Sequence, residues 1–344
     1  MVKNITVLFL LLLSLDSSLA QNATTNGNGA WDNPLTWSTG AIPDSGTNVL
    51  IQVGDTVVMP DAGTHQFCNN LTIQNGAALI LRSRNLTVSG NTEISGMLAD
   101  TINQGNDAFL GNVHIQAGGI FNTEKVTSAN RVIFFNGLRH NGSTCLINRA
   151  AFAGNDQVVD GSEAVRFERN VNIGPGITVR NQNTAGMYFD NGVPQAGDSL
   201  STLTNESLMY FSGNGNVMEG GQLDGSPVGN RIFYNRGGVQ NIGPFTYHEL
   251  ELIAPADQNN VKRRMNSGLR VISKLIINEN MVLEVNGGIG TVEDSLMLLG
   301  EINASTPGAG MDIKHLVMLG GLLDGNNDPG TLQMEELIGV GLNN

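Results

Sequence analysis

Residues 71–81 read LTIQNGAALIL, and this phrase returns at a nearly constant step, which limits what the chain can fold into more than any other feature. Steps of twenty-one residues from Leu71 lead to TEISGMLADTI at Thr92 and VHIQAGGIFNT at Val113. The phrase restarts at Leu275 as LIINENMVLEV, and steps of twenty or twenty-one reach LMLLGEINAST at Leu296, LVMLGGLLDGN at Leu316 and LIGVGLNN at Leu337. Two inward apolar residues flank one of the opposite face, as Leu71 and Ile73 flank Thr72, which is the alternation of a half-buried strand. Gly76 and its Asn or Asp equivalents then mark where the chain can turn. One such unit cannot bury its apolar edge alone, whereas stacked copies can. The period therefore predicts an all-β fold, a parallel β-helix or β-solenoid with coils of about 20–21 residues. Right-handed winding is expected, because parallel crossovers wind that way.

Composition supports many short strands. Of 344 residues, 44 are Gly and 10 are Pro, while only 14% are charged and 5% aromatic, so turn formers are plentiful and helix formers scarce. Helical repeats would need apolar residues three and four apart, and a leucine-rich repeat would need its longer Leu and Asn register; neither pattern is present. Antiparallel sandwich packing stays open for the middle of the chain but does not account for a constant period.

The chain divides as follows. Residues 1–20 have Lys3 at the start, an apolar core over 5–13 and Ser18-Leu19-Ala20 just before Gln21, the pattern of a secretory signal peptide cleaved between Ala20 and Gln21. A secreted or cell-surface location follows, and no later segment reaches membrane-spanning length. The Asn/Thr/Gly-rich stretch 21–30 reads as a flexible leader and 31–344 as the solenoid, with regular coils at 71–123 and 275–344 and an irregular middle at 124–230. A coil begun at Leu337 stops at Asn344 without a polar cap, which points to truncation of a longer polypeptide.

A net charge of −13 opposes phosphate backbones and makes nucleic acid an unfavourable partner. Cys68 and Cys145 are the two cysteines; export permits a disulfide between them, and two buried free thiols on separate coils fit equally well.

Two phrases carry a resemblance. WDNPLTWSTGAIPDSGTNVLIQVGDTVVM resembles the opening segment of secreted bacterial β-helix proteins, with two Trp around Asn-Pro and a later GDTV corner, and more weakly the opening of the extracellular domain named for eight glycines. FYNRGGVQNIGPFTYHELELIAPADQNNVKRRMNSGLRVISKLIINENMVLEV is similar to a unit of large surface proteins from bacteria with type IX secretion. The resemblance implies an exported β-helix protein of structural or adhesive role. It departs from that group in lacking the C-terminal sorting domain.

Chemistry-bearing residues are sparse. His65, His114, His140, His248 and His315 are scattered, and no HExxH or HxxxH spacing joins them, so satisfied or solvent-facing histidines are expected. Lys262, Arg263 and Arg264 form the one basic cluster and read as an exposed loop between coils. Asp324, Asn326 and Asp328 alternate like the ligands of a calcium loop, with Glu335 at the twelfth position. Pro329 stands where that loop needs Gly, and no helix signal flanks it, so an ordinary corner without metal or cofactor is the default. Asn22, Asn70, Asn85, Asn141, Asn205 and Asn303 each precede Ser or Thr by two, as N-glycosylation acceptors do in a eukaryotic host. The triplets starting at Asp55, Asp100, Asp198 and Asp294 are similar to the O-glycosylation triplet of the bacterial group above.

With no catalytic constellation in view, the reading is a non-enzymatic extracellular structural or adhesive β-helix module, with glycans or surface proteins as partners. The alternative is a carbohydrate-binding or polysaccharide-degrading β-helix, since that fold also carries such sites.

Overall fold

The computed structural model describes residues 21–61, 64–82, 85–100, 106–123, 131–304, 306–324 and 331–339. The expected signal peptide lies outside them. Parallel strands stack into a β-solenoid of about 13 turns with almost no helix. Each coil adds one strand to each of up to three walls. On the first wall Leu71, Thr92 and Val113 stand in register and point inward, so the sequence repeat is the stacking repeat itself.

The second wall stacks Leu79, Leu98 and Phe121 inward. A third wall of seven strands runs from Gln66–Cys68 to Pro194–Ala196, and one of five strands resumes from Gln240–Ile242 to Leu322–Asp324. From Thr246–Leu252 onward the first two walls merge into one long strand per coil. Bulges between Tyr247 and Glu249 and between Val292 and Ser295 take up the corner.

Two expectations are corrected. Residues 21–30 are not a flexible leader: Gln21–Thr24 pairs with Thr47–Ile51, Gly29–Ala30 pairs with Thr56–Val58, and Ala23 is buried in register with Val49. Small polar side chains suit a first coil because only alternate positions face the core. The middle is also less irregular than its sequence. Its strands hold register from coil to coil, as in Val165–Met187–Met209, while the corners between them vary in length.

The third-wall core column runs Val88, Phe109, Phe134 and Phe152. The second-wall column runs Phe167, Phe189, Phe211 and Tyr234. Consecutive Phe rings in these columns lie 5.4 to 6.1 Å apart and all are buried. Burying each contributes about 1.5–3 kcal/mol, and favourable ring pairs add about 0.5–1.5 kcal/mol.

Inside the first wall the apolar column gives way to a polar one. Asn181 donates to Asn205 Oδ1 at 2.7 Å and Asn205 to Asn230 Oδ1 at 3.3 Å, all three being fully buried. Further bonds to Leu208 O, Ser207 O and Gly225 O satisfy the amides, so the column costs little despite its burial.

The WDNPLTW phrase closes the first coils. Trp31 and Trp37 pack edge to face at 5.1 Å and are buried, and Trp37 Nε1 donates to Trp31 O at 2.7 Å. Pro34–Thr36 forms a single 3₁₀ turn between them, capped by Asn33, whose side chain accepts from the Leu35 N–H.

Candidate functional site

Outward-facing residues of the first wall form columns parallel to the solenoid axis. One column reads Glu93, His114, Arg139 and Asp160 on four successive coils. Strand spacing sets their backbones about 4.8 Å apart. With Asn91, Asn112, Asp156 and Gln182 beside it, the column lines a surface groove of about 640 Å³.

Four of the titratable groups in this groove pair with one another, and Asp156 accepts from the backbone. His114 Nδ1 lies 3.2 Å from Glu93 Oε2, and Asn141 Nδ2 lies 3.3 Å from His114 Nε2. Gln116 donates to the same Glu93 oxygen at 2.6 Å. Arg139 grips both oxygens of Asp160, with Nη2 at 2.6 Å from Oδ2 and Nε at 3.0 Å from Oδ1, and this pairing raises the guanidinium pKa. Asp156 Oδ1 accepts from the Thr178 N–H at 2.7 Å. The result is a polar trough whose amides and ion pairs can exchange hydrogen bonds with hydroxyl-rich ligands.

Elsewhere the same device joins coils. Arg166–Asp190, Arg180–Glu206, Arg264–Glu284 and Arg270–Glu293 each bridge one coil to the next. Exposed pairs of this kind contribute about 0–1 kcal/mol apiece, so they fix register more than they add stability. Tyr188, Tyr210 and Phe233 also form an outward stack on the second wall, with ring spacings of 4.1 and 4.3 Å and Arg166 over the Tyr188 face.

The remaining expected residues fall as follows. His65 stacks on Phe67 and meets Thr87 Oγ1 at 2.9 Å, and burial lowers its pKa. His140 is a core residue: burial pushes it down to about 4, and its neutral Nδ1 accepts from the Gly142 N–H at 3.2 Å. His248 is half-buried on Thr246–Leu252, and His315 Nδ1 meets Glu336 at 2.9 Å across coils.

Lys262, Arg263 and Arg264 are not an exposed loop. They occupy strand Val261–Met265, so Lys262 and Arg264 point out to Glu284 while Arg263 points inward and is fully buried. Strand alternation splits the cluster. The Arg263 guanidinium donates to carbonyls of Tyr234, Gly238, Arg236 and Ile253 at 2.5 to 3.2 Å, and burial lowers its pKa to about 10.

Cys68 and Cys145 are free buried thiols, both pushed up by burial. They stand four coils apart, on the third and second walls, on the order of 20 Å and beyond the reach of a disulfide. Of the calcium candidates, Asp324 ends strand Leu322–Asp324 beside Asn303, Glu335 lies on Thr331–Gly339, and Asn326 and Asp328 lie outside the described residues. Among the acceptor asparagines Asn205 is enclosed in the core, whereas Asn22 is exposed. No helix among the described residues is long and apolar enough to cross a membrane.

Glu93, Arg139, Asp156 and Asp160 escaped the sequence reading, which sought catalytic motifs along the chain. For Glu93, Arg139 and Asp160 the signal was the outward residue of consecutive strand phrases, TEI, VHI, LRH and VDG, which only stacking turns into neighbours, whereas Asp156 sits on a corner and had no such signal.

No family model matches the chain, and no curated protein and no solved structure matches it.

Proposed function

We propose that the chain is a non-enzymatic extracellular adhesive rod, a β-helix that holds glycans along its coil faces. The observation that carries this reading is the closed column Glu93–His114–Arg139–Asp160: each charged group already has its partner on the neighbouring coil. A general base or acid needs a site left for substrate within hydrogen-bond reach. Paired groups flanked by asparagine amides instead offer a fixed lattice of donors and acceptors to sugar hydroxyls. Export rests on residues 1–20 and on the resemblance described above.

A second reading, polysaccharide degradation, draws on the same groove, because Glu93, His114, Asp156 and Asp160 bring three carboxylates and an imidazole to one face. A single experiment separates the two. The chain is incubated with immobilised neutral and acidic polysaccharides, and both retention and new reducing ends are measured. Retention without cleavage, weakened by His114→Ala together with Asn112→Ala, is the expected result. Cleavage abolished by Glu93→Gln would replace the adhesive reading with the enzymatic one, and neither retention nor cleavage would refute both.

A further inference from the structure

Most arginines in the described structure are neutralised by a carboxylate about one coil away; of those that are not, Arg236 bonds Asn214 Oδ1 and Arg263 is held by buried carbonyls, which leaves Arg131, Arg149 and Arg169. Arg82, Arg139, Arg166, Arg180, Arg231, Arg264 and Arg270 all pair with carboxylates about one coil away. Arg131, Arg149 and Arg169 make no ion pair among the described residues, yet all three line one groove of about 580 Å³ on the third wall. The Nε of Arg149 is shielded from solvent there without a hydrogen-bond partner. In a chain of net charge −13, three arginines against Glu168 leave this groove positive.

Their placement follows from the coils. Arg131 and Arg149 immediately precede Val132 and Ala150, which are register partners, and Arg169 comes one coil later, two residues before Val171, the partner of Ala150. The three cations therefore step along the solenoid axis by about one strand spacing, roughly 4.8 Å each. Asn172, three residues after Arg169 on the same coil, and its register partner Gln195 on the next coil form a neighbouring outward row that supplies amides beside the charges. Glu168 is itself engaged by Asn191 Nδ2 at 3.0 Å.

We infer that this third-wall groove binds a linear acidic polysaccharide laid along the axis, with one carboxylate or sulfate of the polymer on each arginine. Guanidinium groups match both oxyanions with paired N–H donors, and the amide row fits the hydroxyls between them. An extended pyranose chain advances by about the same distance per sugar as one coil. Neutral glycans leave the arginines without counter-ions, so they lack this contribution. The inference rests on the adhesive reading and names a ligand class and a second face for it.

The test uses the full chain, with polygalacturonate, dextran sulfate, neutral dextran and single-stranded DNA as probes. Polygalacturonate or dextran sulfate is expected to bind at least tenfold more tightly than dextran, and whichever of the two binds better identifies the oxyanion. Binding should weaken as salt rises, as expected for half-exposed charges. Arg149→Gln with Arg169→Gln should lower that affinity tenfold or more, while Arg180→Gln, whose side chain pairs with Glu206 outside the groove, should leave it unchanged. Should the double variant lose its β circular-dichroism spectrum, Arg169→Glu at the exposed position takes its place, with the same loss expected. Equal binding of dextran, an unchanged affinity in the arginine variants, or tighter binding of DNA than of either polysaccharide would overturn the inference. Binding of neutral polymers alone would overturn it and leave the adhesive reading in place.

Discussion

Asp107 offers the sharpest physical test of this interior. It opens strand Asp107–Phe109, is only 4% exposed, and among the described residues accepts one hydrogen bond, from the Leu86 N–H at 2.8 Å. Burial pushes its carboxyl from 3.8 up to about 7; the Leu86 N–H acts in the opposite direction, and the nearby Asp100 adds to the rise. The folded chain therefore retains a proton that the unfolded chain releases near pH 4. Between pH 4 and 7 the folded state binds more protons, so stability falls as pH rises and is level above 7. Three pH units at 1.36 kcal/mol each give a loss of about 4 kcal/mol. Asp107→Asn keeps the shape and the acceptor oxygen but cannot ionise. In urea denaturation from pH 4 to 8, the variant should match the parent near pH 4 and exceed it by up to about 4 kcal/mol at pH 8. Glu284 and Glu293, whose pKa values are lowered, give the opposite slope in both proteins and cancel in the difference. Parallel pH profiles, or a variant less stable at pH 8, would refute a buried protonated Asp107.

Two further outcomes follow from the core. Arg263→Ala should destabilise the chain by at least about 3 kcal/mol, since several buried carbonyls lose their donor at about 1–3 kcal/mol each; a urea midpoint within error of the parent would contradict that role. Cys68 and Cys145 should resist a thiol reagent in the folded chain, and two thiols per chain should react in denaturant without reductant; a single mass consistent with a disulfide would contradict the four-coil separation.

The solenoid was legible because its period is written in consecutive phrases such as LTI, TEI and VHI, where one apolar pair per coil must face the same core. The grooves were far less so. Glu93 and Asp160 are 67 residues apart in the sequence and three coils apart in space, and nothing in a local motif search joins them. Arg263 misled in the opposite sense: three adjacent basic residues look like one charged loop until a strand sends the middle one inward. Phenylalanine was underrated too, because a low overall aromatic content hides its concentration at one core position per coil.

What the sequence by itself determined is the repeating unit: a short strand with two inward apolar residues and a corner, which is stable only when stacked. Alternation and turn chemistry are local, and so they can be read locally. The stack alone decided which outward side chains become neighbours, because register adds the residues of different coils at a spacing of about 4.8 Å. That addition closes Arg139 on Asp160 and leaves Arg131, Arg149 and Arg169 in a row without partners among the described residues. Corner length varies between these coils, so no fixed period in the sequence predicts which charge meets its opposite and which faces solvent.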